Sequence, residues 1–180
     1  MSSKETNLED DDEIKKVSST LYGKNYITPL GWQVLHEEFL RLKNTERPEV
    51  TKIVSWAAGN GDRSENGDYT YGKKRLREID KRLRYLAKRI ESAEVIDPEK
   101  IASEEVKFGA TVTIINEENI EKTYHIVGID ESEPQKCKIS WQSPLAASLM
   151  KKKEGDWVTL RTPSGVQELE IVKIEYKKIS

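Results

Sequence analysis

The chain has 180 residues, of which 34% are charged, 7% aromatic and 36% hydrophobic, a balance that suits long solvated helices better than one deep apolar core. Thirty Lys and Arg oppose 32 Asp and Glu, so a net charge of −2 excludes bulk attraction to nucleic acid and leaves the distribution of charge to carry any such role. Cys137 is the single cysteine, no run of about 18 apolar residues occurs, and acids stand where a signal peptide needs a basic and then apolar stretch. An internal disulfide, a thiolate zinc site and a membrane span are thereby excluded, and a cytoplasmic location is expected.

Residues 1–25 carry Glu5, Glu9, Asp10, Asp11, Asp12 and Glu13 among serines and few apolar side chains, the composition of a disordered acidic tail. At Tyr26-Ile27-Thr28-Pro29 a helix is expected to begin, with Thr28 as its cap and Pro29 in the first position, where a missing N–H is tolerated. Trp32, Leu35, Phe39 and Leu42 step by three and four, and Val50, Ile53 and Ala57 resume the stripe beyond Pro48, which should kink or break the helix. The glycine-rich run Gly59-Asn60-Gly61-Asp62-Arg63-Ser64-Glu65-Asn66-Gly67-Asp68 reads as a turn. Beyond it Tyr69, Gly72, Leu76, Ile79, Leu83, Leu86, Ile90 and Ala93 form the most regular heptad seam in the chain. Two seams joined by a tight turn predict an antiparallel coiled-coil hairpin over residues 26–100, reaching about 40 Å at 1.5 Å per residue, with the turn as its tip.

Asp97-Pro98 ends the second arm, and residues 104–180 change to strand-like runs rich in Val, Ile and Thr. Strands are expected at 110–115, 122–127, 138–141, 156–160 and 166–175, with a short helix at 145–150 capped by Ser143. An antiparallel sheet carrying this helix makes the whole an α+β chain of two parts. Trp141 and Trp157 fall on strands, where core packing is the default.

The tip gathers Asp62, Glu65 and Asp68 where nothing apolar is buried. Asp62-Arg63-Ser64-Glu65 fits a capping box for the second helix. Asp62, Ser64, Asn66 and Gly67 also match the start of a calcium loop, but Lys73 occupies the position where a bidentate Glu is required. Two carboxylates on a stalk are too few to hold a metal alone, yet they could complete a site elsewhere, as in two-metal phosphoryl-transfer centres.

Along the second arm Lys74, Arg77, Lys81, Arg84 and Lys88 form a basic stripe two positions off the seam, facing away from the partner helix. Residues 72–90 hold nine basic side chains against Glu78 and Asp80, a one-sided surplus of the kind that meets phosphates as well as solvent. His36, His125 and Cys137 are isolated. With no phosphate-binding glycine loop and no nucleophile elbow, the chain lacks a complete catalytic set of its own.

Taken together, Tyr26-Ile27-Thr28-Pro29, Arg47-Pro48-Glu49-Val50, Gly61-Asp62-Arg63-Ser64-Glu65-Asn66, Lys73-Lys74-Arg75-Leu76-Arg77-Glu78-Ile79-Asp80, Phe108-Gly109-Ala110, Ile126-Val127-Gly128 and Ser143-Pro144-Leu145-Ala146 resemble the bacterial Gre transcript-cleavage factors. The tip and the dense basic run match one of that family's two main types better than the other. The resemblance implies a coiled-coil hairpin that enters the secondary channel of bacterial RNA polymerase and an FKBP-like domain over 104–180 that docks at the channel rim. It further implies that Asp62 and Glu65 are the tip acids that position the polymerase's Mg2+ and attacking water at the 3′ end of backtracked nascent RNA. The basic stripe would contact the extruded RNA, and Gln142, Ser143 and Pro144 would belong to the docking surface. The factor would act as a monomer and as an accessory to the polymerase, binding no metal stably alone. Gly67 and Gln142 depart from residues common in the family, Ala and an Asp or Asn respectively. Two other functions remain open: a channel-binding regulator that blocks without cleaving, and a peptidyl-prolyl isomerase, whose aromatic pocket Tyr124, Trp141 and Trp157 would have to line.

Overall fold

A computed structural model describes residues 24–60 and 66–180. The acidic tail therefore lies almost wholly outside the described residues. Strand β1, Asn25–Ile27, leads into helix α1, Pro29–Arg41, which starts as expected: Thr28 Oγ1 accepts from the Gly31 N–H at 3.1 Å, and Pro29 fills the first turn. At Pro48 the rod does not break. Residues Leu42–Glu46 form one π-helical turn that runs into α2, Arg47–Ala58, and a widened turn ahead of a proline accommodates the missing donor and the ring clash without ending the helix.

That turn alters the facing of the residues beyond it. Ile53, expected in the seam, is 51% exposed, and Val54 turns inward instead. The second arm is a single 25-residue helix α3, Gly67–Glu91, about 37 Å long at 1.5 Å per residue. Its Gly72, Ile79 and Leu86 are buried against Leu35, Leu42 and Ala57 of the first arm, with Trp32, Phe39, Val50, Leu83 and Ile90 packed around them. At Gly72 the arms close tightly, for a Cβ there would lie 2.5 Å from Val54 Cγ2. No described helix is long and apolar enough to cross a membrane.

After α3, β2, Ala93–Val95, pairs parallel with β1 in the register Asn25↔Ala93 to Ile27↔Val95. The sheet that follows has β3, Thr111–Asn116, β4, Glu121–Val127, β5, Lys138–Ser140, β6, Trp157–Thr162, and β7, Gly165–Glu175, in the order β5-β4-β3-β7-β6. Helix α4, Pro144–Leu149, covers it, and Val106, Val112, Ile126, Leu149 and Ile171 form its dry core. The α+β architecture is the expected one, with one departure: the sheet is mixed, because β5 pairs parallel with β4. Two short 3-10 turns, Ile129–Glu131 and Pro134–Lys136, carry the chain back before β5, which a tight hairpin could not do. Trp141 packs half-buried on this core, but Trp157 is 54% exposed on the edge strand β6, so the expectation of core packing fails for it.

The base of the hairpin is bonded to the sheet. The Tyr26 ring lies 5.6 Å from that of Phe108 and 5.1 Å from that of Trp141. Arg89 Nε donates to Asp130 at 2.6 Å with both side chains largely buried, and Arg89 also donates to Asn25. The Glu131 carboxylate accepts from the backbone N–H of Thr28 at 3.1 Å and of Gly128 at 2.8 Å, and from the Thr28 hydroxyl. It thus adds a negative charge at the N-terminus of α1, where the helix dipole favours one. Gly31 makes the contact possible, since a Cβ there would sit 2.2 Å from Glu131 Cδ.

Candidate functional site

The distal end of the hairpin is organised by Asn66. Its Oδ1 accepts from the Tyr69 N–H at 3.2 Å, making it the cap of α3, and its Nδ2 donates to the Ala57 carbonyl at 2.7 Å, tying the end of α2 to the start of α3. The capping box expected from Asp62 and Glu65 is therefore not what starts this helix. Asp62 and Glu65 themselves lie outside the described residues. Gly67, the first residue of α3, has no atom within 4 Å of where a Cβ would sit. Among the described residues no group of three or more His, Cys, Asp or Glu could hold a metal ion.

The charges of α3 sort into two sets. Arg75, Arg82 and Arg89, at heptad spacing, are paired across the packed elements: Arg75 with Glu46, Arg82 with Glu38 through bonds of 2.7 and 2.8 Å, and Arg89 with Asp130. On the opposite flank Arg47 Nε meets Asp80 at 2.7 Å. Hydrogen bonds from these guanidiniums hold the Glu38, Glu46 and Asp80 carboxyls below their usual range. The second set is the stripe Lys74, Arg77, Lys81, Arg84 and Lys88, all exposed. None of these five side chains has a hydrogen bond or ion pair to another described residue. The arm thus neutralises the arginines next to its seam and leaves an outward row of cations, of which Arg84 also helps hold the Asp80 carboxyl down, the arrangement a polyanion can use.

In the sheet, Ser143 Oγ accepts from the Ala146 N–H at 3.3 Å and caps α4, with Pro144 in the first turn. Gln142 and Pro144 are exposed beside it, and the Gln142 N–H donates to Ser140 Oγ at 3.2 Å. His36 stacks on Trp32 at 4.8 Å. His125 Nδ1 lies 2.9 Å from Thr111 Oγ1, and burial, with Lys177 and Lys138 nearby, pushes its pKa down. Both are accounted for by packing. Two aromatics that no sequence motif singles out, Trp56 on α2 and Tyr71 on α3, stand 64% and 71% exposed near the distal end. A heptad plot would have found them, because each is a large ring placed off the seam.

Comparison with known proteins agrees with this geometry. Residues 25–95 match the family model described as transcription elongation factor, N-terminal, and residues 101–176 match that of transcription elongation factor, GreA/GreB, C-term. Transcription elongation factor GreB of Neisseria meningitidis serogroup B is 59% identical over 157 residues, 87% of this chain and 96% of the relative. The GreB of Haemophilus influenzae is 49% identical over 154 residues, covering 86% and 98%, and that of Yersinia pestis 48% over 153 residues, covering 85% and 90%. The resemblance carried by the tip and the basic run is thus to the GreB type, and the chain belongs to the GreA/GreB family of transcription elongation factors.

Proposed function

We propose that the hairpin carries Asp62 and Glu65 through the secondary channel of bacterial RNA polymerase to its active centre, while Gln142, Ser143 and Pro144 help hold the sheet domain at the channel rim. A GreB-type factor stimulates transcript cleavage that the polymerase itself catalyses, so the chain is an accessory and not the enzyme. The observation that carries the assignment is the Asn66 cap: with α3 started by Asn66, the fold has no need of Asp62 and Glu65 as a capping box. Carboxylates that are not needed to start α3 are suited to act on something outside the chain.

Two hard oxygen donors are of the kind Mg2+ takes and too few to retain it alone, which fits a shared site. A second Mg2+ in the polymerase centre supplies activation of a water and stabilisation of a leaving oxygen. The chain's own part is to place Asp62 and Glu65 as fixed negative charges, to keep them at the end of an arm about 37 Å long, and to guide the extruded RNA with Lys74, Arg77, Lys81, Arg84 and Lys88. The factor works as one copy, in the cytoplasm where the polymerase is.

Adding the wild-type chain to a stalled, backtracked polymerase complex should shorten the RNA 3′ end. Asp62→Asn and Glu65→Gln should bind the polymerase equally well but cleave more slowly by about a hundredfold, the order that loss of one preorganised electrostatic group costs. Equal cleavage by the variants would remove the acids from the mechanism. Inhibited synthesis with no cleavage by the wild type would make the chain a blocking regulator.

A further inference from the structure

From the placement of Trp56 and Tyr71 we infer a second functional contact on the hairpin, an aromatic seat for a base of the extruded single-stranded RNA. It rests on the proposed function above, which brings RNA to this part of the arm.

The two rings share one face. Residues one position before a seam residue fall on the same side of both arms of an antiparallel hairpin, and Glu38 and Arg82 demonstrate it: they precede Phe39 and Leu83, and they bond at 2.7 Å across that face. Trp56 precedes Ala57 and Tyr71 precedes Gly72, both buried seam positions, so the two rings lie on the same side of the hairpin as the Glu38–Arg82 pair but further round from the seam, one on the outer part of each arm. They also lie at one level along the rod, fixed by the contact of Val54 with the place of Gly72. Because Gly72 has no side chain, the arms close here, with one exposed ring on the outer part of each arm.

Both rings are exposed well beyond half, and Ile53 on the same flank of α2 is 51% exposed. Among the described residues neither ring stacks on another ring, and the Tyr71 hydroxyl has no hydrogen-bond partner. With most of its surface in water, neither ring belongs to the hairpin's buried core.

The surroundings select the occupant. Tyr71 is three residues before Lys74, the first cation of the stripe, which puts the two side chains about 5–6 Å apart at Cβ. Lys52 and Ser55 flank the rings on α2. An apolar protein surface would need a wide apolar patch, and here, Ile53 apart, the rings are set among polar and cationic side chains. A nucleotide meets both halves of this chemistry: its base stacks on an aromatic face regardless of sequence, and its phosphate takes Lys74. A long side chain on a helix leans towards the helix N-terminus, which for α3 is the hairpin tip, so the Tyr71 ring leans towards the acids. A base held there would keep the RNA strand in line between the basic stripe and the reacting phosphate.

The test places 4-thiouridine in the extruded segment of a backtracked polymerase complex and adds the full chain. Crosslinks are expected at Trp56 or Tyr71. Trp56→Ala and Tyr71→Ala should each slow cleavage by about tenfold, the order that loss of one base-stacking ring costs, and Tyr71→Phe, which keeps the ring face, should recover most of the rate. Unchanged melting of the free protein will show that the variants fold. Competition for polymerase that holds no extruded RNA should be the same for all variants. Wild-type cleavage by both Ala variants overturns the inference, and so does weakened binding to polymerase without extruded RNA, which would make the rings a contact to the channel wall. If Asp62→Asn cleaves normally, the proposed function fails; if Asp62→Asn is defective and the Ala variants are not, only the aromatic seat fails.

Discussion

The two ends of the hairpin are built on opposite principles. At its base, Asp130, Glu131, Tyr26 and Asn25 bind the arms to the sheet through a nearly dry ion pair, a carboxylate on a helix N-terminus and a three-ring cluster. At the distal end the described contacts are few: the Asn66 bridge to Ala57, the close approach at Gly72, and exposed rings around them. Among the described residues, the buried ion pair and the carboxylate on a helix N-terminus belong to the end that meets the sheet, and the most exposed rings, Trp56 and Tyr71, to the other. Binding elements are generally drawn from the less stable parts of a fold, so the proposed function expects the end bearing Asn66 to open more readily than the end at the sheet.

The largest effect that would break this contrast lies at the base. Asp130→Ala leaves Arg89 without its charge partner in a largely buried position and should lower unfolding free energy by about 3–5 kcal/mol, measured by denaturant titration. A loss no greater than that of an exposed pair would show that the joint is not the stable end. A smaller effect comes with acid. Glu38, Glu46 and Asp80 have folded pKa values below their ordinary 4.5, 4.5 and 3.8, so their pairs contribute stability above those values and lose it as pH falls through the lowered ones. Thermal melting should be nearly flat from pH 6 to 8 and drop below about pH 4, and Glu38→Gln with Glu46→Gln should flatten that drop. Smallest is a gain at the tip: Gly67→Ala meets open space in the first turn of α3 and should stabilise by about 0.5–1 kcal/mol in the same titration.

Much of this fold was readable from the chain because its signals are long and periodic. The five sheet strands fall within a residue or two of their expected limits, since Val, Ile and Thr runs repeat often enough to be recognised, whereas the second arm stops at Glu91, well before the Asp97-Pro98 expected to end it, because Ala93–Val95 leaves the helix to pair with β1. Local accommodation was not readable. A proline in a helical stripe predicts a kink, and only tertiary packing decides that a π turn carries the helix through and exposes Ile53. The strands β1 and β2 are three residues each, too short to show a period. In the site, the capping pattern pointed to Asp62 because Asp and Asn are nearly equal as caps, and the choice of Asn66 depends on its second bond to Ala57, which no local rule contains. The stripe from Lys74 to Lys88 was legible as charge on one face. That its neighbours Arg75, Arg82 and Arg89 would be neutralised by Glu46, Glu38 and Asp130 required knowing what packs against them.

The central claim is that Asp62 and Glu65 act as oxygen donors in a site shared with the polymerase, and a Mg2+ titration of cleavage tests it most directly. With polymerase saturated by factor, the wild type should reach half-maximal cleavage at a lower Mg2+ concentration than Asp62→Asn or Glu65→Gln, and excess Mg2+ should recover part of the variants' rate. Identical Mg2+ dependence for wild type and variants would contradict the account.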